Sequence, residues 1–578
     1  MMKNLIQCTV LIAGLTAQGA FGASLELSIE PKVSGERIQS DSLRYQNAAG
    51  ETFSITRVTF LLADFALQRA DGSWLELTNE VAWFDLERSR WSHRTPAVPN
   101  GAYRTIRFYV GPNPILNHAD PAQFGATHPL NPNLNGLHWG WQGGYIFLAL
   151  EGRWRNTAGA LDGWSYHLAR DRNRVGVTIP VALSLTNDTT LALNFDVGAL
   201  LNTARPILFS RDGSSTHSRE GDPIASALVS NLPGAFQFSH IRPMASESFS
   251  SAKRKPLYLP EKFTSYRFEM SPTFPVPDLP ADNPLIAERV ALGEKLFNST
   301  ALSRNETLSC ASCHRSDQAF TDPRRLSVGV EGRVGTRNSM PLFNLAWKDS
   351  FFWDGRASTL RDQALMPIQD HAEMDESLSN VVANLSADTN YLADFKTAFG
   401  STEITPEKIG LAIESFVLTL TSFDSKFDRV MHGEAKFSDA EQRGFELFMT
   451  EFDPRRELYG ADCFHCHGGA LFRSQSFANN GLDAEFADAG RAKVTGKDSD
   501  RGKLATPSLR NVAVTAPYMH DGRFATLEEV IEHYSSGVRR SATLDPNLAK
   551  HPDGGVQLSA PDQRALVAFL KTLTDPRW

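Results

Sequence analysis

Two short stretches of the chain, CASCH at 310–314 and CFHCH at 463–467, each separate two cysteines by two residues and place a histidine directly after the second. Thiols at this spacing can form thioethers to the two vinyl groups of a haem, and the following imidazole is then held under the iron. The competing chemistry is a single four-cysteine zinc site. Zinc requires neither a histidine after both pairs nor pairs 153 residues apart. The spacing therefore predicts two covalent c-type haems, one on Cys310, Cys313 and His314 and one on Cys463, Cys466 and His467. His465, inside the second motif, points away from the proximal position and is expected at the surface.

The elements that must position these groups change along the chain. Beyond about residue 284 the apolar residues recur with helical period, and the pattern is duplicated. Cys310, Cys313, His314, Ala412, Phe416 and Leu420 return at an offset of 153 as Cys463, Cys466, His467, Ala565, Phe569 and Leu573, and GEKLF at 293–297 is echoed by GFELF at 444–448. Each copy needs one helix before its CxxCH and a closing helix after it. Helix starts are expected at Asn283 with Pro284, at Ser438 with Glu441, and at Ser559 with Pro561. Before residue 245 the period is two: Val175, Val177, Ile179, Val181, Leu183 and Leu185 share one face, and after the turn TNDT the return strand does the same with Leu191, Leu193, Phe195 and Val197. The expected architecture is multidomain. An N-terminal all-β antiparallel sandwich or barrel over 23–245 and a Pro-rich extended linker over 246–283 precede an all-α tandem of two cytochrome c-like modules, 284–435 and 436–578.

The first 22 residues read as a secretory signal peptide, with Lys3, an apolar run and small residues before a cleavage point after Gly22. Cys8 falls inside it, so the remaining cysteines are all in the CxxCH stretches and none is spare for a disulfide. A net charge of -8 argues against nucleic acid, and no later apolar run reaches membrane-spanning length. A periplasmic protein without a membrane segment is expected.

From about residue 284 onward the chain resembles the bacterial dihaem cytochrome c peroxidases, particularly their MauG and MbnH branch. The resemblance rests on both CxxCH sites and on GTRNSMPLFNLAW, FWDGRASTLRDQALMPIQDHAEM and TPSLRNVAVTAPYMHDGRFATLEEVIEHY. It implies that the first haem is the peroxidatic one. Glu373 would then be the acid–base group acting on hydrogen peroxide, with Gln363 nearby, Pro367 lining the pocket and Trp353 between the haems. Some relatives block the first iron with a histidine sixteen residues after the proximal one; here that position is Val330, which implies an open face. Calcium between the haems is implied at the Asn338 side chain with the Thr515 and Pro517 carbonyls. Tyr534 matches the second haem's distal ligand in the MauG branch, with Met519 as the rival, and an anionic oxygen suits a haem that stores oxidising equivalents.

Residues 24–240 resemble MbnP, a periplasmic copper-binding family, through HWGWQGGY, WSYHLA and THSREGDPIASALVSNLPGAF. In that pairing the dihaem enzyme oxidises a tryptophan of the copper protein to kynurenine, which implies that this chain fuses enzyme and substrate. Trp91 is the first candidate because Trp91 and His93 share one face of an extended WSH. Copper would then sit on His93, His167 and the modified Trp91, with His138 a weaker ligand and Trp139 and Trp141 weaker sites of oxidation. Two other functions stay open: a hydrogen-peroxide-scavenging peroxidase fed by a soluble periplasmic electron donor, and a non-enzymatic copper-binding or electron-transfer protein.

Overall fold

The computed structural model describes residues 22–139, 143–245 and 257–578; the expected leader, Trp141 and the first part of the linker lie outside the described residues. Residues 23–243 form a β sandwich of a five-stranded and a nine-stranded sheet. The strand Val175–Leu185 alternates buried and exposed along its whole length, as its period of two requires. The segment after TNDT does not return beside it. Val175–Leu185 pairs with Gly101–Val110 in the larger sheet, whereas Thr189–Asp196 crosses to the smaller one. There it lies between Ala23–Val33 and Phe236–Pro243, and its pairing with Ala23–Val33 is parallel. The physical reason is burial. Two amphipathic strands in opposed sheets turn their apolar faces toward each other, and Phe60 of one sheet meets Phe195 and Phe236 of the other at 4.9 and 5.9 Å.

The helical half repeats one packing device. Helix Ala287–Phe297 lies on Pro406–Leu418 so closely that a Cβ on Gly293 would sit 1.9 Å from the Ala412 carbonyl oxygen. Helix Asp439–Met449 lies on Ala560–Lys571 in the same way, with Gly444 facing the Ala565 carbonyl at 2.0 Å. Only glycine permits either approach, which explains the echoed GEKLF and GFELF. The capping box of Ser438 and Glu441 and the Ser559 cap form as expected. Asn283 does not cap a helix: the helix begins at Ala287, and the buried Asn283 amide instead donates to the Leu411 carbonyl at 3.0 Å and to Glu414 at 2.8 Å. A polar side chain with such partners is worth more as a tie between segments than as a solvent-facing cap.

The described part of the linker is extended but packed. Phe274 is fully buried against Trp347, whose indole donates to the Pro275 carbonyl at 2.7 Å, and Asn131 of the sandwich donates to the Val276 carbonyl at 3.0 Å. The two halves also meet directly. Arg153, on the outer face of the large sheet, donates to the Leu544 carbonyl at 3.2 Å and pairs with Asp41 at 2.5 Å, while Lys503 reaches the same aspartate at 3.2 Å. A Cβ on Gly163 would lie 1.8 Å from the Pro546 carbonyl oxygen, so at this strand residue the backbones of the sandwich and the second module approach each other closely.

Candidate haem sites and a histidine cluster at the domain seam

Cys310, Cys313 and His314 line a cavity of about 450 Å³ together with Trp353, Gln363, Pro367 and Glu373. The imidazole of His314 is oriented by its Nδ1, 3.1 Å from the Phe320 carbonyl, which leaves Nε2 as the free ligand atom. Gln363 and Pro367 come from helix Leu360–Gln369, and Glu373 from the loop that follows it. Burial, with Asp370 adding to it and Arg356 opposing it, raises the Glu373 carboxyl from an ordinary 4.5 to about 7. This is the range in which one group both accepts and returns a proton near neutrality. The main chain of Val330 donates to the Glu373 carbonyl at 2.8 Å, so the Val330 loop is tied to the Glu373 loop but offers no side-chain ligand.

Trp353 links this cavity to the second module. Its indole donates to the Asn338 carbonyl at 2.9 Å, Asn338 N–H donates to the His520 carbonyl at 2.7 Å, and the Trp353 and His520 rings are 6.5 Å apart. The Asn338 amide nitrogen donates to the Arg325 carbonyl at 3.1 Å, leaving its oxygen as the acceptor a hard cation would use. In the second module the Nδ1 of His467 faces the Phe472 carbonyl at 3.3 Å, the counterpart of the His314 arrangement. Tyr534 lies in a single π turn, His533–Gly537, a widened helical turn of the kind that re-aims side chains at functional positions. Burial holds its hydroxyl well above the ordinary phenol range, Asn480 hydrogen-bonds to it, and the Cys466 and Cys463 thiols lie within its field. Met519 sits beside the same Asn480, whose amide is 3.5 Å from its sulfur. Among the described residues the four cysteines form no disulfide and do not gather into one metal-ligand cluster, which removes the zinc alternative.

One cluster of that kind does form, and it was only partly expected: one nitrogen each of His167, His217 and His465 lie within 4.8 Å of one another. Strand Leu161–Ala169 supplies His167. Its parallel pairing of Tyr166 with Thr216 sets His217 alongside. His465 arrives from the second CxxCH loop and has only 3% of its side chain exposed, so the expectation of a surface residue fails: the sandwich covers it. Each imidazole meets a carboxylate, Glu151 at 3.0 Å from His167 Nε2, Glu451 at 2.7 Å from His217 Nδ1, and Asp462 at 3.2 Å from His465 Nε2. Burial alone would raise these acids, but Arg57 beside Glu151, His217 beside Glu451 and Lys550 beside Asp462 hold them well below the usual carboxylate range.

Trp91 and His93 are not brought to this cluster. Phe60 faces the core and Trp91 packs on it at 6.2 Å, whereas Arg57, Glu151 and His167 project from the opposite face of the same sheet. His93 pairs with Glu80 at 2.8 Å and stacks on Phe65. His138 packs edge-on against Tyr145 and is not one of the three clustered imidazoles. Trp139, by contrast, is buried with its ring 5.7 Å from that of His217. His217 and His465 therefore join His167 in place of His93. No local motif flags them, because their proximity depends on one parallel strand pair and on docking of the two halves.

Comparison with known proteins agrees with this geometry. The di-haem cytochrome c peroxidase family model matches residues 287–436, and the MbnP family model matches 22–218. The methylamine utilization protein MauG of Methylophilus methylotrophus is 35% identical over 297 residues, 51% of this chain and 84% of the relative. That of Methylorubrum extorquens is 38% identical over 298 residues, 51% and 80%. A solved MauG-like protein associated with microbial copper homeostasis is 36% identical, covering 54% of this chain and 96% of its own, with a TM-score of 0.49. On the identity and coverage of the MauG relatives the chain belongs to the di-haem cytochrome c peroxidase family, as a c-type dihaem peroxidase preceded by a segment that matches the MbnP family model.

Proposed function

We propose that this peroxidase uses hydrogen peroxide to oxidise Trp139 of its own N-terminal domain to kynurenine, beside a copper site, in the periplasm after removal of a leader at Gly22. The observation that carries this reading is a path of rings. Trp139 lies 5.7 Å from His217, and His217 lies 5.7 Å from Phe464, which stands between Cys463 and Cys466. Among the described residues Trp91, whose ring contacts Phe60 in the sandwich core, has no such path.

Cys310, Cys313 and His314 hold the first haem, and Cys463, Cys466, His467 and Tyr534 the second. The chemistry the haems supply when bound is cleavage of peroxide and storage of its oxidising equivalents. Glu373 takes the proton from the near oxygen of hydrogen peroxide and returns it to the far oxygen, which leaves as water. Gln363 and Pro367 shape the space around it, and Val330 contributes no donor that would block it. Trp353, anchored on Asn338, bridges toward the second module, and the Asn338 side chain with the Thr515 and Pro517 carbonyls would hold calcium. Two molecules of peroxide accept the four electrons withdrawn from Trp139 and are reduced to four of water; two waters at the tryptophan supply the oxygens of N-formylkynurenine as four protons leave, and hydrolysis then removes one carbon as formate.

Peptide mapping of haem-loaded protein before and after peroxide tests the reading. One carbon lost and one oxygen gained is expected at Trp139, and no such product in Trp139→Phe. If every N-terminal tryptophan stays intact while a reduced cytochrome is consumed, the chain is a scavenging peroxidase.

A further inference from the structure

We propose that His167, His217 and His465 form a single transition-metal site that exists only because the two halves dock, with the third ligand taken from within the second CxxCH motif. The inference does not depend on whether any tryptophan is oxidised. Two of the imidazoles belong to the sandwich and one to the peroxidase, and one nitrogen of each lies within 4.8 Å of the others. Ligand nitrogens about 2 Å from a common ion are separated by roughly 3.5 Å, so small ring rotations close the set.

The surroundings are those of a metal site rather than of three packed rings. His167 uses Nε2 on Glu151, and His217 turns Nδ1 toward Glu451. His465 turns Nε2 toward Asp462 and Lys550. The second nitrogen of each ring is thereby left for a ligand role, and each carboxylate orients its imidazole as outer partners of metal-bound histidines do. His167 Nδ1 and both ring nitrogens of His217 are buried without a hydrogen-bond partner, and a bound ion would remove that cost at one nitrogen of each ring. The carboxylates are themselves fixed: Glu151 by Arg57 at 2.8 Å and Asn547 at 3.2 Å, Asp462 by Lys550 at 2.9 Å, and Glu451 by Ser215. An all-imidazole donor set suits copper or zinc and disfavours calcium or magnesium. Because His465 directly precedes Cys466, an ion bound there is one residue from a haem attachment point.

The test uses haem-loaded, full-length protein titrated separately with Cu(I) and Zn(II) against a competing chelator; the tighter arm identifies the metal. One ion per chain is expected, with three imidazoles counted by X-ray absorption. His465→Ala should lower affinity at least ~100-fold and the count to two, and Asp462→Asn should lower affinity by ~10- to 100-fold with the count kept. Unchanged affinity in His465→Ala, or no stoichiometric binding of either ion to wild type, would overturn the proposal. Should His465→Ala fail to take up its second haem, the wild-type count decides, and two imidazoles refute it.

Discussion

Glu373→Gln, read together with the pH dependence of the parent, bears most directly on the peroxide step. Burial and Asp370 place the Glu373 carboxyl at about 7, against an ordinary 4.5. If the ionised form must accept the peroxide proton, ~90% of molecules are competent at pH 8 but only ~1% at pH 5. The rate constant for peroxide should therefore fall nearly 100-fold over that interval. A carboxylate at 4.5 would still be about three-quarters ionised at pH 5 and would show almost no decline. The sign follows from the raised pKa: activity is lost as pH drops through 7. Glu373→Gln should be slower by ~100- to 10,000-fold above pH 8 and should lose the acid limb altogether. Asp370→Asn removes one of the two raising influences and should move the limb to lower pH; Arg356→Gln removes the opposing one and should move it higher. Stopped-flow absorbance of the haem-loaded protein mixed with peroxide between pH 5 and 9 gives these rates. A flat wild-type profile, or near-parental rates in Glu373→Gln, would show that Glu373 does not handle the proton.

Tyr534→Phe should keep both thioether-linked haems while changing the low-spin spectrum of the second, because the buried hydroxyl in its field is removed; a spectrum identical to the parent's would point to Met519 beside the same Asn480. Gly163→Val forces a side chain against the Pro546 carbonyl, 1.8 Å from where its Cβ would be, and neither backbone can yield cheaply. Overpacking of this kind costs ~1–3 kcal/mol or more. It should loosen the docked halves to limited proteolysis and weaken metal binding, yet leave the peroxide rate unaltered; equal protease resistance would mean that the seam tolerates the intrusion.

Much of the molecule was legible without its structure, for reasons of range. A CxxCH motif carries its chemistry within five consecutive residues, and a helix cap such as Ser438 with Glu441 is made within one turn, so neither needs knowledge of the rest of the chain. The duplication was legible because each copy solves the same local packing problem, a glycine beneath a carbonyl, at Gly293 and again at Gly444. Strand periodicity likewise gave the buried face of Val175–Leu185. Periodicity says which face is apolar but not which strand lies beside it. The crossing of Thr189–Asp196 to the other sheet and its parallel pairing with Ala23–Val33 were therefore invisible. For the same reason Trp91 and His93, neighbours in sequence that share a local face, carry no local sign that the assembled sandwich turns that face away from His167. His465 shows the limit most clearly. Read alone it is an unassigned residue inside a haem motif; its burial and its two histidine neighbours arise from docking two domains whose contact surfaces are far apart in sequence. Covalent attachment points were determined by adjacent residues, whereas the seam joining Trp139, the three imidazoles and the second CxxCH loop was decided by tertiary packing, since its parts gain a common environment only once they are buried together.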